Sequence, residues 1–415
     1  MKREKITRIS TSTATALVSA ALLFSVRLSF ANDQPSVEDR LKALENTVQT
    51  LQKENKDLKA QLGWDGKSAL TVAKPAGKEN KLNIGGYIQA NAEFGHAPDA
   101  RFNNIEDRFL IRRARLGVNG SFAEHFDFKL EGDFGANSLS EKTGYSAQIT
   151  DAFINWNQFS FANVKIGQFK TPFGYEQLLP DTKLLTVERS LANDRLTDSR
   201  QIGLGVAGNF FAKRLAYSAG MFNGSGVNNS FNDNNNFMYA GRITGVAYQG
   251  KLAKQDTRVA IGVNGLTVHD TAISKSGFGL DSTPGGTIDN LFTGNRTSWG
   301  VDGQFSWGPV GLDGEYLRTC FKPSDNIPSS SFEAAGWYVT ATCFIVPSKL
   351  QALVRYEELD PNLDLKGDLS HEYVFGLNYY IKGDSLKLSA NYLLGHPAGK
   401  ADNQGRFLTR VQVVF

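Results

Sequence analysis

Two periodicities divide the chain. Between Val37 and Leu62, Val37, Leu41, Leu44, Val48, Leu51, Asn55, Leu58 and Leu62 follow one another at alternating steps of 4 and 3. That is a heptad seam with Leu41 at a and Leu44 at d, and the positions between are mostly charged or amide residues. So narrow a stripe cannot be buried by one helix alone. The pattern therefore predicts a self-associating coiled-coil stem over residues 32–62, with Asn55 at an a position facing its symmetry mates. A helix lying on the surface of its own chain is the competing reading. Residues 63–80 read as a linker.

From Lys81 to Phe415 the period is two. In "HFDFKLEGDFG", Phe126, Phe128, Leu130 and Phe134 share one face, and Asp127, Lys129, Glu131 and Asp133 share the other. In the last segment, Phe407, Thr409, Val411, Val413 and Phe415 alternate with Leu408, Arg410, Gln412 and Val414. Sixteen such segments are predicted: 82–94, 108–120, 125–136, 147–157, 162–169, 201–210, 214–222, 237–248, 257–268, 297–307, 309–319, 333–344, 348–357, 371–381, 384–394 and 405–415. Many approach the length that a tilted strand needs to cross a bilayer, about 9–11 residues. Connections after even segments are short, with "QGKLAKQD" the longest; those after odd segments are long and rich in Asn, Gly, Ser and Asp. Short turns at one end and long loops at the other predict an all-β fold, a sixteen-stranded antiparallel transmembrane barrel over residues 81–415, with the helical stem in front of it.

Composition agrees. Gly (41) and Phe (28) are frequent, Pro is not (12), and no run of residues after the first 31 approaches a membrane-spanning helix. The first 31 residues have a basic head, an apolar run from Ala14 to Val26 and small residues at Ser29 and Ala31, which predicts a secretory signal peptide over residues 1–31. They hold five Lys/Arg and one Glu, so the formal net charge of +3 becomes −1 without them, and no nucleic-acid partner is implied. An exported barrel with a helical stem places the stem in the periplasm of a Gram-negative-type bacterium and the barrel in its outer membrane. No cofactor and no metal site is expected. The histidines form no catalytic pattern with a serine, so an enzyme is not expected. Cys320 and Cys343 fall near opposite ends of adjacent strands, too far apart to bridge.

Within the strand 108–120, parity sets Leu110, Ala114, Leu116 and Val118 outward and Arg113, Arg115, Gly117 and Asn119 into a polar lumen. Arg112 has outward parity, which suits the upper interface or a protomer contact. Lys129 and Lys165 face inward by the same rule. The connection 170–200 differs from the other loops in its apolar residues (Phe173, Leu178, Leu179, Leu184, Leu185, Val187, Leu191), so it is expected to fold into the barrel and narrow it. Its charges balance: Lys170, Lys183, Arg189, Arg195 and Arg200 against Glu176, Asp181, Glu188, Asp194 and Asp198. Which set faces the opening is not given by composition.

"RFLIRRARLGVNGSF", "IGQFKTPFGYEQL", "TVERSLANDRL" and "RQIGLGVAG", in that order, resemble the phosphate-selective porins O and P family. The resemblance implies a homotrimer of sixteen-stranded barrels in outer-membrane lipid, a third loop folded inward and basic side chains that guide small anions. Carried over by segment, it puts Arg113 and Arg115 in the basic lining, Lys170 at the start of the constriction loop and Arg189 within it. The function expected is passive diffusion of small anions, with phosphate or polyphosphate as candidate solutes. A general diffusion or carbohydrate-selective pore is the alternative. The balanced loop departs from the strongly basic channel that the resemblance implies. Three stems leaving three barrels could meet on the threefold axis and tether the pore to the cell wall.

Overall fold

The computed structural model describes residues 37–61, 81–135, 145–274, 291–324, 330–398 and 400–415. The expected signal peptide and linker lie outside them, as does Leu62. Two units are present. The first contains one helix, α1 (Val37–Gln61), which carries the heptad seam. Leu41, Val48 and Leu51 of that seam are exposed in the single chain.

The second unit is a closed antiparallel barrel of sixteen strands in sequence order, β1 pairing with both β2 and β16. The strands are β1 (Lys81–Gly95), β2 (Arg108–Phe122), β3 (Phe126–Asp133), β4 (Gln148–Phe159), β5 (Ala162–Lys170), β6 (Arg200–Phe210), β7 (Leu215–Phe222), β8 (Met238–Leu252), β9 (Gln255–Ser274), β10 (Leu291–Trp307), β11 (Val310–Pro323), β12 (Phe332–Val346), β13 (Leu350–Asp360), β14 (Ser370–Tyr380), β15 (Leu386–His396) and β16 (Gln404–Val414). Each expected segment is a strand. Alternation alone suffices for this, because a one-residue slip would turn every apolar side chain into the lumen.

The largest departures lie around β9. The expected connection "QGKLAKQD" shrinks to Ala253 and Lys254, whose φ values of 50° and 67° form a mirror-image two-residue turn. At its other end β9 runs on to Ser274 and β10 starts at Leu291 rather than 297. The ladder persists there because it has inward partners to hold: Arg296 pairs with Asp270 at 2.7 Å, and Phe292 packs edge-on against Phe321.

Outward positions are apolar around the whole circumference, with Ile88, Leu116, Leu130, Ile154, Ile166, Leu204, Ile243, Val263, Val301, Leu312, Val339, Val354, Leu377, Leu388 and Val411 all exposed. A continuous belt of this kind far exceeds the few hundred Å² a soluble monomer tolerates and suits lipid. Aromatic pairs border it at the short-turn end, as in Phe122–Phe126, Phe159–Phe161 and Phe210–Tyr217. Cys320 stands opposite Glu333 in the ladder and Cys343 opposite Val310, so the two thiols are ten residues apart along β12 and both are free.

Candidate functional site

The arginine-rich strand contains an irregularity that parity does not foresee. Gln89 of β1 stands opposite Arg113, but the next residue, Ala90, stands opposite Ile111. Arg112 is thus the extra residue of a β-bulge, which resets side-chain direction beyond it. Arg113 and Arg115 face the lumen as expected. Arg112 also faces inward and is buried, contrary to the outward position that its parity gave it. Leu110 is likewise displaced from the outer face, standing opposite inward Asn91, and Phe109 and Ile111 become the lipid-facing residues.

The arginines meet the connection that follows β5. It enters the lumen as two short helices, α2 (Tyr175–Leu178) and α3 (Leu191–Leu196), with a 3-10 turn at Asp181–Lys183 between them. Ser190 caps α3 by accepting from Asn193 N. Phe173, Leu191, Ala192 and Leu196 are buried against Leu317, Phe321, Ala334 and Leu359. Gly336 allows that approach, since a Cβ there would stand 2.8 Å from that of Ala192. Further along, Val187 packs with Leu353, Val374, Leu393, Leu408 and Phe102. The connection is therefore packed as a core, not solvated, and lies against β11–β16.

Its carboxylates fasten it. Glu176 pairs with Arg355 of β13 at 2.6 Å, and Asp198 with Arg296 of β10 at 2.9 Å. Asp181 meets Arg115 and Arg189, each at 2.7 Å, and Arg113 at 3.6 Å. Glu188 lies among Arg112 at 3.1 Å, Arg113 at 3.4 Å and Arg410 of β16. Burial alone would raise the Glu188 carboxyl, but Arg112, Arg410 and Arg113 together pull it well below the usual carboxylate range. Asp181 is lowered in the same way, against burial, by Arg113, Arg189 and Arg115. Amides add to the grip where the barrel closes: Gln89 Nε2 donates to Gln412 Oε1 at 2.7 Å and to the Asp181 carbonyl at 3.2 Å, and Gln412 Nε2 donates to the Thr182 carbonyl at 3.0 Å.

A closed sixteen-stranded barrel constricted by the connection after its fifth strand is a porin architecture, and the sequence profile of the phosphate-selective porin O and P family matches residues 82–415. The chain belongs to that family. Among curated proteins, this porin is 22% identical to Porin O of Pseudomonas aeruginosa over 417 residues, 84% of this chain and 91% of that one. Among solved structures it superposes on the outer-membrane protein OmpT of Vibrio cholerae with a TM-score of 0.56 and 13% identity, covering 83% of this chain and 100% of that one. Similar overlap, at a TM-score of 0.54, is found with the outer-membrane channel DcaP of Acinetobacter baumannii (15% identity, 83% and 100% covered). The anion-selective porin from Comamonas acidovorans also gives 0.54 (14% identity, 81% and 100% covered).

The porin places its nine expected basic residues in unlike surroundings. Arg113 and Arg115 are consumed as above, Arg115 also meeting Asp133 at 2.8 Å. Arg189 lies inside the connection, on Asp181 and on the carbonyls of Glu176 and Leu179. Arg200 and Lys129 hold Asp151 between them at 2.7 and 2.6 Å, and Arg195 lies 3.8 Å from its neighbour Asp194. Lys170 donates only to the carbonyls of Gln177 and Leu179, both at 2.7 Å. Lys183 is exposed, and Lys165 lies over the rings of Phe153 and Phe169. Among the described residues these three lysines have no carboxylate in ion-pair range. Arg112, Arg113, Arg115, Lys170, Arg189 and Arg200 line one polar cavity of about 220 Å³ between the connection and the wall, together with four acids.

Several fastening cations were not expected: Arg101, Arg296, Arg355, Lys387, Arg406 and Arg410. Arg101 belongs to a 3-10 turn at Ala100–Phe102 and donates to the Arg189 carbonyl at 2.6 Å. It also outweighs burial to hold the Asp99 carboxyl down. The wall members were within reach of parity, since Arg410 shares a face with Gln412 and Leu408 and all three are buried inside. What parity lacks is the partner, which for Arg410 and Glu188 lies 222 residues away.

Proposed function

We propose that this porin is an outer-membrane channel for the passive diffusion of small anions. The observation that carries the reading is the fate of the charges in the connection. Four of its five acids, Glu176, Asp181, Glu188 and Asp198, are turned to wall arginines; Asp194 alone remains exposed. Among the described residues Lys165 and Lys183 have no carboxylate in ion-pair range, which supports a positive potential beside the connection. The family, the likeness to Porin O and the anion selectivity named for the Comamonas protein support the same reading. Phosphate and polyphosphate remain the candidate solutes.

The long-loop end faces outward from the cell and the short-turn end faces the periplasm, where α1 belongs. The exposure of Leu41, Val48 and Leu51 supports α1 as the stem of a homotrimer, its sequence seam continuing through Leu44, Asn55, Leu58 and Leu62. One of the similar OmpT structures is described as a trimer form, which supports that state. A tether to the cell wall is the role the stem would serve.

The test is the reversal potential of the full-length protein in planar bilayers under a KCl gradient, repeated with added phosphate. An anionic potential supports the channel, and block by low phosphate supports the family's solute. A cationic potential overturns both. For the stem, the sedimentation of the intact protein in detergent is compared with that of a Leu51→Ser, Leu58→Ser variant; an unchanged trimer would remove the stem from the assembly.

A further inference from the structure

On the short-turn side of the connection, the lumen wall of β3–β7 encloses a cavity of about 530 Å³. Its cations are all lysines, Lys129, Lys165 and Lys170, with no arginine among the lining residues. Its one acid, Asp151, is occupied by Arg200 and Lys129. Lys170 is spent on two carbonyls. Lys165 is half-buried, and its Nζ has neither a carboxylate nor a carbonyl partner among the described residues. Instead it lies 4.3 Å from the ring centroid of Phe153 and 5.2 Å from that of Phe169.

The rest of the lining is largely apolar. Phe153 and Phe169 stand edge-to-face, 6.3 Å between centroids. Pro172 and Leu178 of the connection close the cavity above, and Gly205 and Ala207 form the wall opposite. Gly205 is required for this shape, because a Cβ there would come within 2.9 Å of the Phe169 ring. A single ammonium beside two phenyl faces is poorly suited to inorganic phosphate, which needs several donors around it and would lose hydration against the rings. It suits a monoanion with a flat apolar body, whose charge meets the ammonium and whose body regains free energy by leaving water.

We propose that this cavity is a binding station for small aromatic carboxylates, with Lys165 holding the carboxylate and Phe153 and Phe169 the ring. The proposal rests on the anion-channel reading and names a solute class for it.

Chloride current through the full-length porin is measured in bilayers with sodium benzoate, acetate or phosphate added on the periplasmic side. Benzoate is expected to halve the current at a concentration roughly tenfold below that of acetate. Lys165→Met should abolish this difference between benzoate and acetate. Phe153→Leu should reduce it, and Lys165→Arg should retain it. Heat-shifted mobility on gels checks that each variant forms a barrel. Equal action of benzoate and acetate on the wild type, or undiminished benzoate block in Lys165→Met, overturns the site alone. A cationic reversal potential in the wild type overturns the channel reading and the site with it.

Discussion

Arg112 and Arg113, adjacent in a strand, both direct their guanidinium groups to Glu188, at 3.1 and 3.4 Å. Neighbours on a regular strand point to opposite faces; only the extra residue between the partners of Gln89 and Ala90 makes the shared target reachable. Glu188→Gln would leave these two and Arg410 without their common counter-charge in a buried site. Breaking a buried pair in this way costs about 3–5 kcal/mol. The temperature at which the barrel loses its compact gel mobility should fall, and single-channel conductance should rise as the connection leaves the wall. If both are unchanged, Glu188 is not a fastening.

The bulge itself can be tested separately from the charge. Arg112→Ala leaves Glu188 with Arg113 and Arg410, for a loss of about 1–3 kcal/mol. Deleting Arg112 instead makes the β1–β2 ladder continuous with Ile111 still opposite Ala90, so Arg113 stays inward and Phe109 and Ile111 stay outward. Refolding yield into detergent should therefore be near normal for both the substitution and the deletion. A collapse confined to the deletion would mean that the strand needs the extra residue itself and not only its charge.

Acid should leave the fastening closed over a wider range than free carboxylates would. Glu188 and Asp181 are held below their ordinary values, so their contribution is complete above the unfolded pKa and is lost only as pH falls through the lower folded value. Release of the connection, read as limited proteolysis between residues 171 and 199 of the folded porin, should be absent between about pH 7 and pH 4 and begin only in stronger acid. A transition centred on the ordinary carboxylate range would contradict this.

Both thiols should remain free in protein purified without reductant, because their ladder positions lie about 33 Å apart at the usual rise per residue. Peptide mapping under non-reducing conditions decides it; an intrachain bridge would require a different register for β11 and β12.

The barrel was legible because its rule is local. A period of two, with turns of alternating length, fixes sixteen strands from "HFDFKLEGDFG" to "FLTRVQVVF" without knowledge of what each one touches. The inward position of Arg113, Arg115, Lys129 and Lys165 follows from the same rule. Arg112 did not follow, since a bulge is a relation between two strands and leaves no mark in the parity of one. Nor could the balanced charges of the connection be assigned: Glu176 and Arg355 are 179 positions apart, and only the closed barrel brings them together. The long β9–β10 hairpin was underestimated for a related reason, as a ladder outside the membrane persists by side-chain pairs such as Asp270–Arg296 rather than by apolar alternation.

The hydrogen bond between Gln89 and Gln412 joins residues 323 positions apart, and contacts of such separation are among the last a chain can make. The same two amides grip the carbonyls of Asp181 and Thr182. Completion of the cylinder and seating of its filter are thus one event in biogenesis. A protomer that stalls before its last strand meets its first has no sealed wall and no set aperture, and both defects are cured by the same final pairing.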